Sequence, residues 1–258
     1  MVRLVVSDVD GTLLRNGQKT IPEEIIEIIK SLKERGIMFA VASGREYSNL
    51  RDLFEPVKKD IIYICVNGAL VVYDDKLISK TPLERKTAFS IADEIYKANG
   101  CEMLISGEEK TYAKVKSYDY ADHVRKNIGN ILEEIRNIRD VRENIIKISA
   151  YKKSGITKEA EMFIKKWGDK VQVVQSQDTW VDFTAPMVTK GAALYMVQEA
   201  FGFSYDETMT FGDNYNDLDM FAQSFFSYAI SDSAPDIRNS ARFLAPDVAT
   251  ILMDVLRI

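Results

Sequence analysis

The first eighty residues alternate short apolar runs with amphipathic stretches, the pattern stops near Pro82, and it returns after Pro186. Such a chain folds with its strands parallel and helices over both faces, because a strand needs a helix-length crossover to reach a parallel neighbour. Leu4 to Val6 form the first run, which ends at Ser7-Asp8-Val9-Asp10-Gly11-Thr12. A helix should follow, with Thr20 and Glu23 spaced as a capping box and Pro22 in its first turn. Ile25, Ile28, Ile29 and Leu32 share one face of it, and Gly36 stands where it stops. Ile37 to Ala42 read as the second strand, closing on Ser43-Gly44-Arg45, and Ile61 to Val66 as the third. Asn67-Gly68 then reads as a turn into a hairpin with Leu70 to Tyr73.

Between Pro82 and Pro186 the order changes. A helix to Asn99 precedes short strands around Met103 and Tyr112, a polar helical stretch through residue 139 and a strand at Ile145 to Ala150. A helix at Thr157 to Trp167 leads to paired strands at Val171 to Val174 and Trp180 to Phe183. Strands in adjacent pairs favour an antiparallel sheet with helices on one face. Then the parallel signature resumes: helix Lys190 to Phe201, strand Thr208 to Phe211, and Gly212-Asp213-Asn214-Tyr215-Asn216-Asp217 beyond it. The expected architecture is α/β, a Rossmann-like parallel-sheet core of residues 1–81 and 187–258 split by an inserted α+β domain of residues 82–186 with an antiparallel sheet.

Composition narrows the function classes. Hydrophobic residues make up 46% of the 258, enough for a sizeable core, and the net charge of −5 is spread over interspersed acidic and basic residues. Nucleic acid is disfavoured as a partner, since a phosphate backbone is met by a basic face. A small phosphorylated metabolite needs only a few local cations and stays open. Cys65 and Cys101 lie far apart and outside any CxxC spacing, so buried, reduced thiols are expected rather than a disulfide or zinc site. The start of the chain shows no signal-peptide pattern and no segment approaches ~20 apolar residues, so no membrane partner and a cytoplasmic location are expected. Nothing in the sequence sets an oligomeric state.

In an open parallel sheet, ligands bind beyond the carboxyl ends of the strands. Four polar clusters fall there or beside them. Asp8 and Asp10 share one side of an extended backbone by the period of two, and Gly11 and Thr12 allow a tight turn with N–H groups free for an anion. The plainer alternative is an Asx turn; a calcium loop is excluded because Gly11 comes too early. Ser43 and Gly44 open a helix where hydroxyl and N–H groups can hold phosphate oxygens. Lys190 opposes the dipole of the helix it begins, which suggests a use other than stability, although most lysines are simply solvated. Asp213 and Asp217, with Asn214 and Asn216 between them, are denser in oxygen ligands than an N-cap requires. Magnesium is commonly bound by one or two carboxylates plus substrate phosphate, and Asp8 with Asp213 would suffice. His123, the only histidine, sits in a polar stretch of the insert, which disfavours a Ser-His-Asp triad.

Together these segments resemble the haloacid dehalogenase-like superfamily, and within it the Cof-type phosphatases with a large inserted cap. The resemblance is carried in order by DVDGTLL at Asp8 to Leu14, ASGR at Ala42 to Arg45, VNGA at Val66 to Ala69, TKGAAL at Thr189 to Leu194 and GDNYNDLDM at Gly212 to Met220. It implies that Asp8 attacks phosphorus and carries an aspartyl phosphate, while Asp10 protonates the leaving alkoxide and then activates water. Partial burial beside Asp8 would favour the protonated start that this requires of Asp10. Ser43 and Lys190 would hold the phosphoryl group, with Gly11, Thr12, Gly44 and Asn216 around it. Mg2+ would sit among Asp8, the Asp10 carbonyl and Asp213, with Asp217 orienting the metal site or Lys190. Asp10 separates a phosphatase or a phosphomutase from a dehalogenase, which protonates no alkoxide. A phospho-accepting binding module is the alternative outside enzymes. The chain departs from the family at Tyr228 to Ser233, where a glycine-containing segment is usual. Tyr118, Tyr120, His123, Asp178 and Trp180 are the candidate specificity residues of the insert, and sugar phosphates the expected substrate class.

Overall fold

A computed structural model describes residues 1–127 and 132–257. The first segment runs β1 (Leu4–Asp8), α1 (Glu23–Glu34), β2 (Met38–Ala42), α2 (Tyr47–Leu53), β3 (Ile61–Cys65), β4 (Leu70–Tyr73) and β5 (Lys76–Lys80). Next come α3 (Arg85–Lys97), β6 (Glu102–Ser106), β7 (Thr111–Ala113), α4 (Tyr118–Asn127), β8 (Leu132–Glu134), β9 (Lys147–Tyr151), α5 (Thr157–Trp167), β10 (Gln172–Gln177) and β11 (Trp180–Thr184). The last segment holds α6 (Lys190–Phe201), β12 (Thr208–Gly212), α7 (Leu218–Ala222), β13 (Phe226–Ile230), α8 (Pro235–Ser240), β14 (Phe243–Ala245) and α9 (Val248–Arg257). Two compact units result, Met1–Lys80 with Thr189–Ile258, and Thr81–Val188.

The first unit is built on one sheet in the order β14-β13-β12-β1-β2-β3-β4-β5. Strands β14 to β3 are parallel, and β3, β4 and β5 form an antiparallel meander. Strand order reverses at β1, which has β2 on one side and β12 on the other, so a crevice opens beyond its carboxyl end. Leu4, Val6, Ala40, Ala42, Ile62 and Ile64 face α6 through Ala193, Leu194 and Val197. The small alanines let the helix come close to the sheet, which matters because α6 starts with Lys190.

Helix α1 buries Ile25, Ile26, Ile28, Ile29 and Leu32, but the capping box does not form: the N-cap is Pro22, with no side-chain hydrogen bond. A cap at Thr20 would put Ile21 in the first turn, and a residue before proline is driven out of the helical region. The missing cap costs about 1 kcal/mol, whereas each buried aliphatic contributes about 1.5–3 kcal/mol, so the helix forms without it.

The second unit has a six-stranded sheet in the order β10-β11-β9-β6-β7-β8. Its pairings are antiparallel except β7 with β8. Helices α3 and α5 cover one face through Ile91, Ile95, Phe163 and Trp167, and α4 packs on the other through Tyr120 and Val124. The helical stretch expected through residue 139 ends earlier. Residues 128–131 lie outside the described residues, and Leu132–Glu134 pair as a strand instead. Among the described residues, no helix is long and apolar enough to cross a membrane.

Candidate active site

Because β1 and β12 are neighbours, Asp8 at the end of one comes near Asp213 just past the end of the other. The turn after β1 is shaped around Asp213. Thr12 Oγ1 donates to Asp213 Oδ1 at 2.6 Å. Gly11 has φ +96°, and a Cβ there would stand 2.2 Å from Asp213 Oδ2, so any side chain is excluded on both counts.

Lys190 is fully buried. Thr189 caps α6 by accepting the N–H of Ala192, and this sends the next side chain inward, where Nζ donates to Asp8 Oδ1 at 2.5 Å and Asp217 Oδ1 at 2.7 Å. The ordinary expectation of a solvated lysine is thus overturned. Burial alone would pull its pKa down, but the carboxylates of Asp8 and Asp217 outweigh burial and hold it above the usual lysine value. Asp217 spends its other oxygen on the N–H groups of Asp213 and Asn214, at 2.9 and 3.0 Å. Both of its oxygens are therefore committed to positioning.

Asp8 is different. Its Oδ2 is buried and has no hydrogen-bond partner. Burial, reinforced by Asp217 and Asp213 and opposed by Lys190, pushes its carboxyl up to about 8. Burial likewise raises Asp213, with Asp217 adding and the Thr12 hydroxyl opposing. Oxygens of Asp8, Asp213 and Asp217 lie within 4.8 Å of one another. Three carboxylates against one ammonium leave excess negative charge, and one Asp8 oxygen is buried without a hydrogen-bond partner. That donor set suits a hard divalent cation, which would remove both penalties.

Ser43, also buried, accepts the Arg45 N–H at 3.2 Å and keeps its O–H as a donor. Asn67 N–H donates to the Ser43 carbonyl at 2.9 Å, its side chain lies 3.4 Å from where a Cβ on Gly44 would stand, and that side chain accepts from Asn216 Nδ2 at 3.1 Å. Ser43, Gly44 and Asn216 are thus joined through a residue that, read from sequence, is an ordinary turn. Its only earlier signal is its place in the VNGA segment.

Asp10 departs from expectation. Instead of being partly buried beside Asp8, its side chain is 55% exposed and held by Arg45, whose Nε donates to Oδ2 at 2.8 Å and Nη2 to Oδ1 at 2.6 Å. Arg45 is braced in turn by Asn49 Oδ1 at 2.9 Å. The guanidinium reaches Asp10 from the loop after β2 and keeps the carboxylate at the surface. Arg45 is the polar partner that sequence reasoning missed, although it stands in the same tripeptide as Ser43.

The divergent segment after β13 carries Asp232, which accepts from Arg15 Nη2 at 2.6 Å. With Ser233, Leu14, Gly11 and Asp213, these residues line a cleft of about 380 Å³. In the second unit Tyr120, His123 and Trp180 pack on Tyr151, with ring centroids 5.4, 5.1 and 4.7 Å from it. Asp178 contributes its backbone oxygen to the N–H of Ile156. The side chain of Tyr118 lies outside the described residues.

The profile of the haloacid dehalogenase-like hydrolases matches residues 5–250. A 5-amino-6-(5-phospho-D-ribitylamino)uracil phosphatase of Escherichia coli is 24% identical over 245 residues, 95% of this chain and 90% of that protein. A crystal structure from Eubacterium rectale superposes with a TM-score of 0.90 at 26% identity, covering 98% of this chain and 99% of that one. A sugar phosphatase described as HAD subclass IIB shares the fold with a TM-score of 0.80 at 19% identity, over the full length of both chains.

Proposed function

The chain belongs to the haloacid dehalogenase-like hydrolase family, and from that premise we propose that it is a magnesium-dependent phosphatase that hydrolyses small phosphate monoesters through an aspartyl phosphate on Asp8. The observation that carries this is the buried array of Asp8, Lys190 and Asp217, with one Asp8 oxygen left unpartnered. A structural ion pair has no need of a free carboxylate oxygen at the mouth of a sheet crevice; a nucleophile or metal ligand does.

Asp8 would act as a carboxylate once a bound cation offsets the burial and the neighbouring negative charge that otherwise hold its proton. Lys190 holds Oδ1 and fixes the direction from which the side chain approaches phosphorus. Ser43 O–H and the N–H groups of the loop through Gly44 donate to the phosphoryl oxygens, with the Gly11 and Thr12 backbone and Asn216 as further donors. Asp8, Asp213 and the Asp10 carbonyl would hold Mg2+, which when bound neutralises phosphoryl charge in the transition state. Asp217 positions Lys190 and the loop that carries Asp213. Asp10 gives a proton to the leaving alkoxide as the bond from phosphorus to Asp8 forms. It then takes a proton from the water that breaks that bond and releases phosphate. The Arg45 fork holds both Asp10 oxygens and so sets the direction from which that side chain meets the leaving group.

The Escherichia coli relative is named for a substrate with its phosphate on a ribityl chain. We extend this to sugar phosphates and similar polyol esters, with the second unit, Thr81–Val188, choosing among them as a cap. Turnover of p-nitrophenyl phosphate and a sugar phosphate panel with Mg2+, suppressed by a chelator, is the test. Absence of turnover across the panel sinks the hydrolase, and isomerised hexose phosphate without free phosphate replaces it with a mutase.

A further inference from the structure

The turn after β3 is bent in a way that an ordinary hairpin does not require. Val66 and Asn67 both have positive φ, 51° and 53°, a region that a β-branched residue rarely enters. Neighbouring segments hold them there. Val66 N–H donates to the Arg45 carbonyl at 3.0 Å, and Asn67 N–H to the Ser43 carbonyl at 2.9 Å. On the other side Gly68, at φ +105°, passes so close to α6 that a Cβ would stand 2.4 Å from the Thr189 carbonyl. One turn therefore touches both the loop that carries Ser43 and the residue before Lys190.

The Asn67 side chain extends this to a third segment. Oδ1 accepts from Asn216 Nδ2 at 3.1 Å, and the amide borders the space beside Gly44, where an added Cβ would lie 3.4 Å from it. Ser43 and Asn216 lie past the ends of β2 and β12 and Lys190 opens α6, three segments far apart in sequence. Strain that persists at such a junction is over-determined by its surroundings, as is common where a site must be pre-formed.

We propose that Asn67 is a positioning residue for phosphoryl-group binding. It orients Asn216 and spaces the Ser43–Gly44 loop so that their donors converge on one tetrahedral anion. The role rests on the phosphoryl-transfer reading above.

Asn67→Gly separates this role from simple folding. Glycine adopts φ near +53° more readily than asparagine, so the turn is kept and only the amide is lost. The variant is compared with wild type, Asn216→Ala and the double variant for Mg2+-dependent p-nitrophenyl phosphate hydrolysis, calorimetric binding of inorganic phosphate, and melting temperature. The expected result is an unchanged or raised melting temperature and a fall of about tenfold or more in kcat/KM, since small misplacements of positioning groups carry costs of that order. Phosphate affinity should weaken by a similar factor, and the double variant should be no worse than Asn216→Ala. Unchanged kcat/KM and phosphate affinity in Asn67→Gly, or full additivity with Asn216→Ala, would overturn the role. So would a lowered melting temperature with phosphate affinity intact, the mark of a purely structural turn. Should wild type bind phosphate but hydrolyse nothing, the phosphatase reading fails, while the binding comparison still decides the role of Asn67.

Discussion

Arg45 grips Asp10 at two points, Nε on Oδ2 and Nη2 on Oδ1, so both oxygens of the proposed acid and base are held by one rigid fork. With side chains 33% and 55% exposed, the pair contributes at most about 1 kcal/mol to stability. Its effect should therefore appear in rate. Lysine cannot reproduce the two-point contact, so Arg45→Lys should lower kcat about tenfold with the melting temperature nearly unchanged. Steady-state kinetics with a thermal melt checks this, and an unchanged kcat would release Asp10 from any dependence on the clamp.

Lys190 is the cation between two buried carboxylates. Removing one partner of such an arrangement costs about 3–5 kcal/mol, because the charges left behind remain buried. Lys190→Met should therefore melt several degrees lower than wild type and be inactive. Adding Asp217→Asn removes one of the stranded charges and should restore much of the stability but none of the activity. A thermal denaturation series on the single and double variants reads this directly.

The raised pKa of Asp8 makes metal-free stability depend on pH. Its folded value is about 8 against an ordinary 3.8. The folded state therefore binds the proton more tightly, and the contribution of this group is fully present below the unfolded value and lost as pH rises through about 8. Wild type in chelator should lose stability from this group across that window, whereas Asp8→Asn should lack that part of the slope while having no turnover. Melting temperatures at several pH values for the two proteins would show it. Parallel curves would mean that the Asp8 carboxylate sits comfortably without a cation.

Gly11 leaves room for Asp213 Oδ2, so Gly11→Ala should push that carboxylate out of place. Weaker cation binding follows, on the order of tenfold by analogy with other supporting positions around metal ligands. Titration of Mn2+ into the free protein, followed by electron paramagnetic resonance, measures this without relying on turnover.

Much of the architecture is legible in local pattern. Helices α5 and α6 occupy the residues their periodicity predicts, Thr157–Trp167 and Lys190–Phe201. Strand β8 is not legible: Leu132-Glu133-Glu134 is short, polar and helix-like in composition, and becomes a strand only because β7 lies beside it. The capping box at Thr20 fails for a local reason, the proline two residues on. The site divides in the same way. Aspartates and glycines at strand ends announce themselves, but burial of Lys190 depends on Asp8, 182 residues away, and no window of sequence contains both. Arg45 and Asn67 were hidden for the same reason, since their partners Asp10 and Asn216 lie 35 and 149 residues distant.

The central claim is that Asp8 becomes phosphorylated. Wild type mixed with Mg2+ and a hydrolysable phosphate ester, quenched in acid within a single turnover, should yield a phosphoryl group on the peptide that carries Asp8, and Asp8→Asn should yield none. Rapid release of phosphate with no label on Asp8 at any quench time would contradict the account.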